Sequence, residues 1–202
     1  GNMANIDYHY RPTDDSDPFQ TDIVILSGKQ DRFMPKFNYK GFQFVEVSSS
    51  APIQLSDENL IAVEMHSDVP IIGYWSSSSD LLNKIWKATN SSYLANLFGY
   101  PTDCPQREKN GWTGDAHIAI ETGLYNFDGI SIYEKWMNDF CDEQKDNGVL
   151  PCIIPTSVWG YDWANGVDWT SAVAIIPWEI YRFYGDTTLL RRMYGPIKNY
   201  VS

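Results

Sequence analysis

Apolar and polar positions divide the chain into two parts with different periods. Up to about residue 70, apolar residues come in short runs separated by Pro, Asp, Ser and Gly clusters, a pattern typical of β-strands. Four such runs lie at residues 6–10, 22–27, 41–47 and 59–67. In the third run, GFQFVEV, Phe42 and Phe44 alternate with polar neighbours, which indicates a strand with one buried face. The first part therefore predicts a portion of an antiparallel β domain.

From about residue 78 the apolar residues recur at helical spacing. The stretch SSDLLNKIWKATNSSYLANLFG predicts a long helix that Ser79 or Asp80 can cap. Further helices are predicted at about 116–125, 129–146, 170–184 and from 186 to the end. The pattern changes near residues 68–80, and we place the domain boundary between residues 74 and 75. The last helical pattern runs to residue 202 without a capping glycine, so we expect a piece of a longer protein.

Composition narrows the possible partners. The 26 acidic and 15 basic residues give a net charge of −11 without a basic stripe, which argues against nucleic acid and anionic membranes. Aromatic residues make up 15% of the chain, which fits either a large core or stacking against sugars. The three cysteines lack a CxxC spacing, so neither a zinc site nor a disulfide framework is indicated. The N-terminus lacks a basic start and an apolar run, and the compartment stays open.

Residues 103–115, DCPQREKNGWTGD, carry the densest group of reactive side chains. They hold three carboxylates, an Arg, a Gln and a Trp in a pattern that fits neither a core helix nor a half-buried strand. Polar groups are costly to bury, so a stretch of this kind usually lines a site. We therefore expect the chemistry here.

The longer segment YPTDCPQREKNGWTGDAH resembles the signature of bacterial α-L-rhamnosidases, glycoside hydrolase family 78. Flanking segments resemble the same family, so the resemblance covers nearly the whole chain: PKFNYKGFQFVEV, YEKWMNDFCDEQKDNGVLPCIIP and AIIPWEIYRFYGD. The resemblance implies an α+β multidomain protein with β-sandwich domains before an (α/α)6 barrel. It also implies cofactor-free, inverting hydrolysis of terminal α-L-rhamnose from glycosides, oligosaccharides or polysaccharides. Residues 1–74 are then a β-sandwich segment and residues 75–202 the N-terminal part of the barrel, since a twelve-helix barrel needs roughly 300 residues.

Inverting hydrolysis requires one carboxylic acid for the leaving oxygen and one carboxylate for water. The resemblance makes Glu108, directly after CPQR, the proton donor. The alternative is a surface salt bridge, because Arg107 and Lys109 flank it. The family's water-activating Glu comes from later in the barrel, so we expect the general base outside this chain. The 202 residues alone are then predicted to hydrolyse nothing measurable.

The resemblance assigns the other site residues to rhamnose binding. Asp103 and Asp115 would bind sugar hydroxyls, although each is also placed to cap a helical turn. Trp112 and Trp169 would form an apolar wall for the sugar methyl, with core packing as the alternative. Arg107 would bind the sugar or hold one of the aspartates.

Other residues and functions are less favoured. Many family members carry Asp two residues after the later Trp, where this chain has Ser171, and Asp168 precedes the Trp instead. Cys104 and His117 are expected to pack rather than react. Two alternatives are a carbohydrate-binding protein without catalysis and a calcium site built from the three carboxylates of the motif. Their spacing does not favour the metal, and none is predicted.

Overall fold

The computed structural model describes residues 20–156, 159–162 and 166–202. Within these residues the regular structure is helical, and the helices are α1 Asp80–Ala95, α2 Thr113–Asn126, α3 Ile130–Glu143, α4 Val167–Thr170, α5 Ala172–Tyr184 and α6 Thr188–Val201. The helix predictions are confirmed, with boundaries that differ by a few residues. Helix α2 starts earlier than predicted, and the helix predicted at 170–184 is divided at Ser171.

One hydrophobic core joins helices α2, α3, α5 and α6. Helix α5 lies against α2, α3 and α6, so it is central to the helical part. The core contains fully buried aromatic and aliphatic side chains, among them Trp136, Phe140, Ile176 and Ile180. Helix α5 ends at Gly185, whose φ of 69° is easily reached only without a side chain, and its N–H donates to the Tyr181 carbonyl.

An extended segment at residues 150–154 connects this core to the motif at 103–115. Leu150, Ile153 and Ile154 are buried, and Ile154 N–H donates to the Gly111 carbonyl over 2.9 Å. A Cβ atom at Gly111 would lie 2.0 Å from the Ile154 carbonyl oxygen. Gly111 therefore permits a close backbone contact that fixes where helix α2 begins.

The strand predictions are not confirmed. Residues 22–27, 41–47 and 59–67 lie in the described part of the chain and form no strand there, while the run at 6–10 lies outside the described residues. Apolar side chains of these segments remain exposed, with Ile25 at 93% and Phe44 at 89%. Alternation reports which side chains need burial, but a strand forms only when another strand accepts its backbone hydrogen bonds.

No helix in the described ranges is long and apolar enough to cross a membrane. In the same residues, no group of three or more His, Cys, Asp or Glu side chains is arranged to hold a metal ion.

Candidate active site

The motif begins as a loop that one aspartate closes. Asp103 N–H donates to the Asn110 carbonyl over 3.0 Å, and Asn110 N–H donates to Asp103 Oδ1 over 2.9 Å. The Asp103 side chain thus holds the far end of the loop rather than capping the turn that follows it. Cys104 Sγ donates to the other carboxylate oxygen of Asp103 over 2.7 Å. Both oxygens of this carboxylate therefore have donors within the motif.

Glu108 lies within this loop and is bound to the indole four residues later. Trp112 Nε1 donates to Glu108 Oε2 over 2.6 Å. Trp112 is the N-cap residue of α2, so the start of that helix sets the position of its backbone. The Glu108 carboxyl is half-buried and directed to this indole. The surface salt-bridge interpretation is not supported for Lys109, whose ammonium instead reaches Asn38 Oδ1 and the Tyr39 carbonyl.

Three indoles meet beside Glu108. The Trp112 ring centroid lies 6.4 Å from that of Trp159, at 55°, and 6.4 Å from that of Trp169, at 75°. The structure therefore brings together the two predicted tryptophans and adds Trp159, which the sequence analysis missed. The signal that could have found it is its place three residues after Thr156, in the aromatic stretch that follows the buried segment at 150–154.

The Trp169 indole packs against helix α2 at Gly114. A Cβ atom at Gly114 would lie 2.5 Å from the Trp169 ring, so only glycine allows the indole this close to the helix. His117 Nε2 lies 2.9 Å from the Asp168 carbonyl oxygen, an acceptor that requires a proton on that nitrogen. His117 therefore ties α2 to the segment carrying Trp169. Asp168 uses its backbone in this contact.

The two aspartates feel the charge of Glu108. Burial raises the pKa of Asp103 above its ordinary 3.8, the bonds from Cys104 and Asn110 lower it, and the Glu108 charge raises it further. Burial also raises the pKa of Asp115, its own backbone N–H lowers it, and the Glu108 charge adds to the rise. Glu108 is therefore electrostatically coupled to both aspartates, as expected for carboxylates facing one region.

The capping alternative for Asp115 is wrong in its position. Asp115 lies in the first turn of α2, inside the helix, while Trp112 occupies the N-cap without a side-chain cap bond. A carboxylate in the first turn still interacts favourably with the helix dipole. The residue is only partly covered by the surrounding chain, so a ligand can reach it.

Arg107 and Cys104 lie on the Asp103 side of the loop. Burial raises the pKa of the Cys104 thiol, the hydrogen bond to Asp103 raises it further, and a hydrogen bond involving Arg107 opposes this. The thiol is buried, and its raised pKa disfavours the thiolate. Arg107 is exposed, and its side chain contributes a hydrogen bond at Cys104.

Three further glutamates of the helices, Glu121, Glu143 and Glu179, have partners in the fold. Glu143 accepts from Thr156 N–H over 3.0 Å and from the Tyr161 hydroxyl over 2.8 Å. Arg182 pairs with Glu179 at 2.8 Å and with Glu121 at 3.5 Å. Each of these three carboxylates therefore has a partner within the fold.

Comparison with known proteins gives a consistent result along the chain. The family model of the bacterial alpha-L-rhamnosidase 6 hairpin glycosidase domain matches residues 70–202, and that of the bacterial alpha-L-rhamnosidase concanavalin-like domain matches residues 5–66. Alpha-L-rhamnosidases of Alteromonas sp. (strain LOR) and Formosa agariphila are 33% and 34% identical over 172 residues. Each match covers 84% of this chain and 18% of the relative, so the chain spans under a fifth of their length.

Solved structures of alpha-L-rhamnosidases match about two thirds of this chain. An alpha-L-rhamnosidase from Dictyoglumus thermophilum matches with a TM-score of 0.64 and 39% identity over 67% of this chain and 15% of that one. The Streptomyces avermitilis alpha-L-rhamnosidase complexed with L-rhamnose matches with a TM-score of 0.60 and 26% identity, over 67% and 13%. The chain therefore belongs to the bacterial α-L-rhamnosidase family, and its residues 70–202 match the six-hairpin glycosidase domain of that family.

Proposed function

We propose that this chain supplies the acid side of an inverting α-L-rhamnosidase site within a longer enzyme. The observation that carries the proposal is the Glu108 carboxyl bound to the Trp112 indole, beside two further indoles. Glu108 protonates the leaving oxygen of the glycosidic bond. A positioned acid of this kind contributes roughly 10²- to 10⁴-fold to the rate.

The remaining motif residues bind the sugar. Asp103 and Asp115 accept hydrogen bonds from rhamnose hydroxyls, and these bonds strengthen as the ring gains positive charge in the transition state. Their coupling to Glu108 supports a shared location. Trp112 and Trp169 provide the apolar surface for the deoxy carbon, and Arg107 contributes a donor at the Asp103 side.

The general base comes from outside these residues. Glu121 and Glu179 pair with Arg182, and Glu143 accepts from Thr156 and Tyr161, so these three carboxylates already have partners in the fold. The small share of the relatives' length that this chain spans supports a base elsewhere in the polypeptide. No cofactor takes part, and the reaction uses the two carboxylic groups and water. The substrate is a rhamnose-containing glycoside, oligosaccharide or polysaccharide.

Residues 1–74 form, in the proposal, a β-sandwich segment that precedes the (α/α)6 barrel beginning at residue 75. The ends of the two family matches, 66 and 70, support a junction near this point. The exposed alternating side chains of residues 41–47 support a missing partner sheet. Hydrogen exchange tests this, because the Phe42 and Phe44 amides are expected to be protected in the longer enzyme and unprotected in the 202-residue chain.

The function is tested on the full-length enzyme and its Glu108→Gln variant. Calorimetric titration with rhamnose and turnover of p-nitrophenyl α-L-rhamnoside are measured on both. Binding retained with turnover lost supports the acid role, whereas turnover at the wild-type rate in the variant overturns it. A wild-type protein that binds rhamnose without turnover would establish the non-catalytic carbohydrate-binding alternative. The 202-residue chain alone is expected to show no hydrolysis.

A further inference from the structure

Lys109, the residue after Glu108, has an unusual backbone and a distant partner. Its φ is 56°. Among the non-glycine residues that the structure describes, Lys109 alone has a positive φ. Left-handed backbone is unfavourable for a side chain of this size, so surrounding contacts must maintain it. Lys109 Nζ donates to Asn38 Oδ1 over 3.2 Å and to the Tyr39 carbonyl, and it lies 4.5 Å from the Tyr39 ring centroid.

The environment of the Lys109 ammonium is specific. Burial lowers the pKa of Lys109, and the charge of nearby Lys40 lowers it further, so a cation here is unfavourable by itself. The carbonyl, the amide oxygen and the aromatic face together compensate for lost hydration. Several groups of residues 38–39 therefore surround the Lys109 ammonium, whereas the ammonium of a surface lysine is surrounded mainly by water.

The same segment contacts the other side of the turn that carries Glu108. Gln20 Nε2 donates to the Gln106 carbonyl over 2.5 Å and to the Gly41 carbonyl over 3.4 Å. A Cβ atom at Gly41 would lie 2.9 Å from Gln106, so glycine allows the two backbones to meet. Residues 38–41 thus contact the turn before and after Glu108.

We propose that Lys109 is a positioning residue, which fixes Glu108 by tying the acid loop to residues 38–39 of the preceding domain. Because adjacent side chains leave a left-handed backbone in different directions, anchoring Lys109 to Tyr39 leaves Glu108 directed to Trp112. The inference rests on the proposed function and adds to it that the N-terminal segment helps to place the acid. Small displacements of a catalytic group are enough to lower the rate strongly.

The leaving group distinguishes positioning of the acid from general loss of structure. A poor leaving group, such as an alkyl alcohol, depends on protonation in the transition state, whereas an activated aryl oxide departs with little help. A misplaced acid therefore lowers the rate on an alkyl α-L-rhamnoside more than on an activated aryl one. A partly unfolded enzyme loses the same fraction of both rates.

The experiment uses the full-length enzyme with kcat and KM measured on methyl and 2,4-dinitrophenyl α-L-rhamnosides. Lys109→Met removes the charge, Lys109→Gly removes the side chain but keeps the left-handed backbone accessible, and Lys109→Arg retains a cation. Lys145→Met is the matched control, since Lys145 lies 4.0 Å from the Tyr161 ring centroid in a similar cation–π contact outside the acid loop.

For Lys109→Met and Lys109→Gly, kcat on the methyl glycoside should fall about tenfold or more, with a small loss on the aryl glycoside and little change in KM. Lys109→Arg should recover most of the rate, and Lys145→Met should match the wild type on both substrates. Equal losses on both substrates, or unchanged rates in Lys109→Met, overturn the inference while the proposed function stands. A wild-type enzyme without hydrolysis on either substrate overturns the proposed function instead.

Discussion

The Trp112 indole donates a hydrogen bond of 2.6 Å to the Glu108 carboxyl, and this bond joins the candidate acid to the helical core. Trp112 is the N-cap of α2, and its neighbour Thr113 donates both N–H and hydroxyl to the Cys152 carbonyl, each over 2.9 Å. Glu108 is therefore held, through Trp112, by the buried segment at 150–154. A flexible loop residue gains a defined direction from a rigid element.

Trp112→Phe in the full-length enzyme keeps an aromatic ring and removes the donor to Glu108. Loss of one such hydrogen bond is expected to cost about 1.5 kcal/mol, or roughly tenfold in kcat on a methyl glycoside. Trp169→Phe is the control, because the Trp169 Nε1 atom is buried without a hydrogen-bond partner in the described residues.

Steady-state kinetics on methyl and dinitrophenyl α-L-rhamnosides check this pair. Trp112→Phe should lower kcat on the methyl glycoside selectively, and Trp169→Phe should act mainly on KM through the altered wall. Equal kinetics of the two variants would contradict a special role for the Trp112 donor.

Gly114→Ala should displace Trp169. Alanine is ordinarily favoured over glycine within a helix, so the added Cβ, 2.5 Å from the indole, is the source of any loss. Overpacking of this kind costs about 1–3 kcal/mol in free energy of unfolding, and in the full-length enzyme it should raise KM. Urea denaturation and tryptophan fluorescence measure the effect.

Gly129→Ala is the matched control for this substitution. A Cβ atom at Gly129 would lie 3.6 Å from the Tyr133 ring, an ordinary van der Waals distance, and its φ of −100° suits alanine. A loss below about 1 kcal/mol is expected there. If Gly114→Ala were as stable as Gly129→Ala and left tryptophan fluorescence unchanged, the Trp169 indole would not pack directly against Gly114.

Glu108→Gln should lower the pKa of Asp103 and of Asp115, because it removes a negative charge that raises both. Carbon-13 NMR titration of aspartate carboxyls measures this in the 202-residue chain. Asp186, whose pKa is lowered first by the backbone N–H of Thr188, should titrate identically in both proteins. If Asp103 and Asp115 titrated identically in both proteins, the Glu108 charge would not be coupled to either aspartate.

The same shifts set a pH dependence of stability. The folded chain binds a proton at Asp103 more tightly than the unfolded chain, so stability is fully present below the ordinary pKa of 3.8 and falls as pH rises through the higher folded value. Because Glu108→Gln removes a charge that raises the folded-state pKa of Asp103, it brings that pKa closer to the unfolded value of 3.8. Urea denaturation from pH 3 upward should therefore show a smaller decline for the variant, and a larger decline would reverse the assigned sign.

Helical periodicity was a reliable guide to the second part of the chain because each helix forms its backbone bonds within itself. Strands in the first part of the chain cannot be predicted in this way, because a strand needs hydrogen bonds from another segment. Phe42 and Phe44 alternate as expected, yet the pairing that converts alternation into a strand depends on other segments, and none pairs with residues 41–47 in the described chain.

The site was predictable where its residues are close in sequence. Glu108 and Trp112 are four residues apart, so one motif carries both. Trp159, the Gly114 contact with Trp169 and the Lys109 contact with Tyr39 depend on distant segments that meet only in the fold. Asp115 was placed at a helix start, but the helix begins at Thr113 because residues 111–113 are fixed by the segment at 150–154.

Substitution of Trp136 tests whether the core between α2, α3, α5 and α6 determines stability. Its side chain is fully buried, and its Nε1 donates to the Ile154 carbonyl over 2.8 Å, which ties α3 to the segment that holds the motif. Trp136→Ala should lower the free energy of unfolding of the 202-residue chain by about 3–5 kcal/mol. Trp178→Ala, at a side chain that is 51% exposed, should cost under about 1 kcal/mol. Urea denaturation followed by circular dichroism compares the two, and equal losses would show that Trp136 does not occupy the centre of this core.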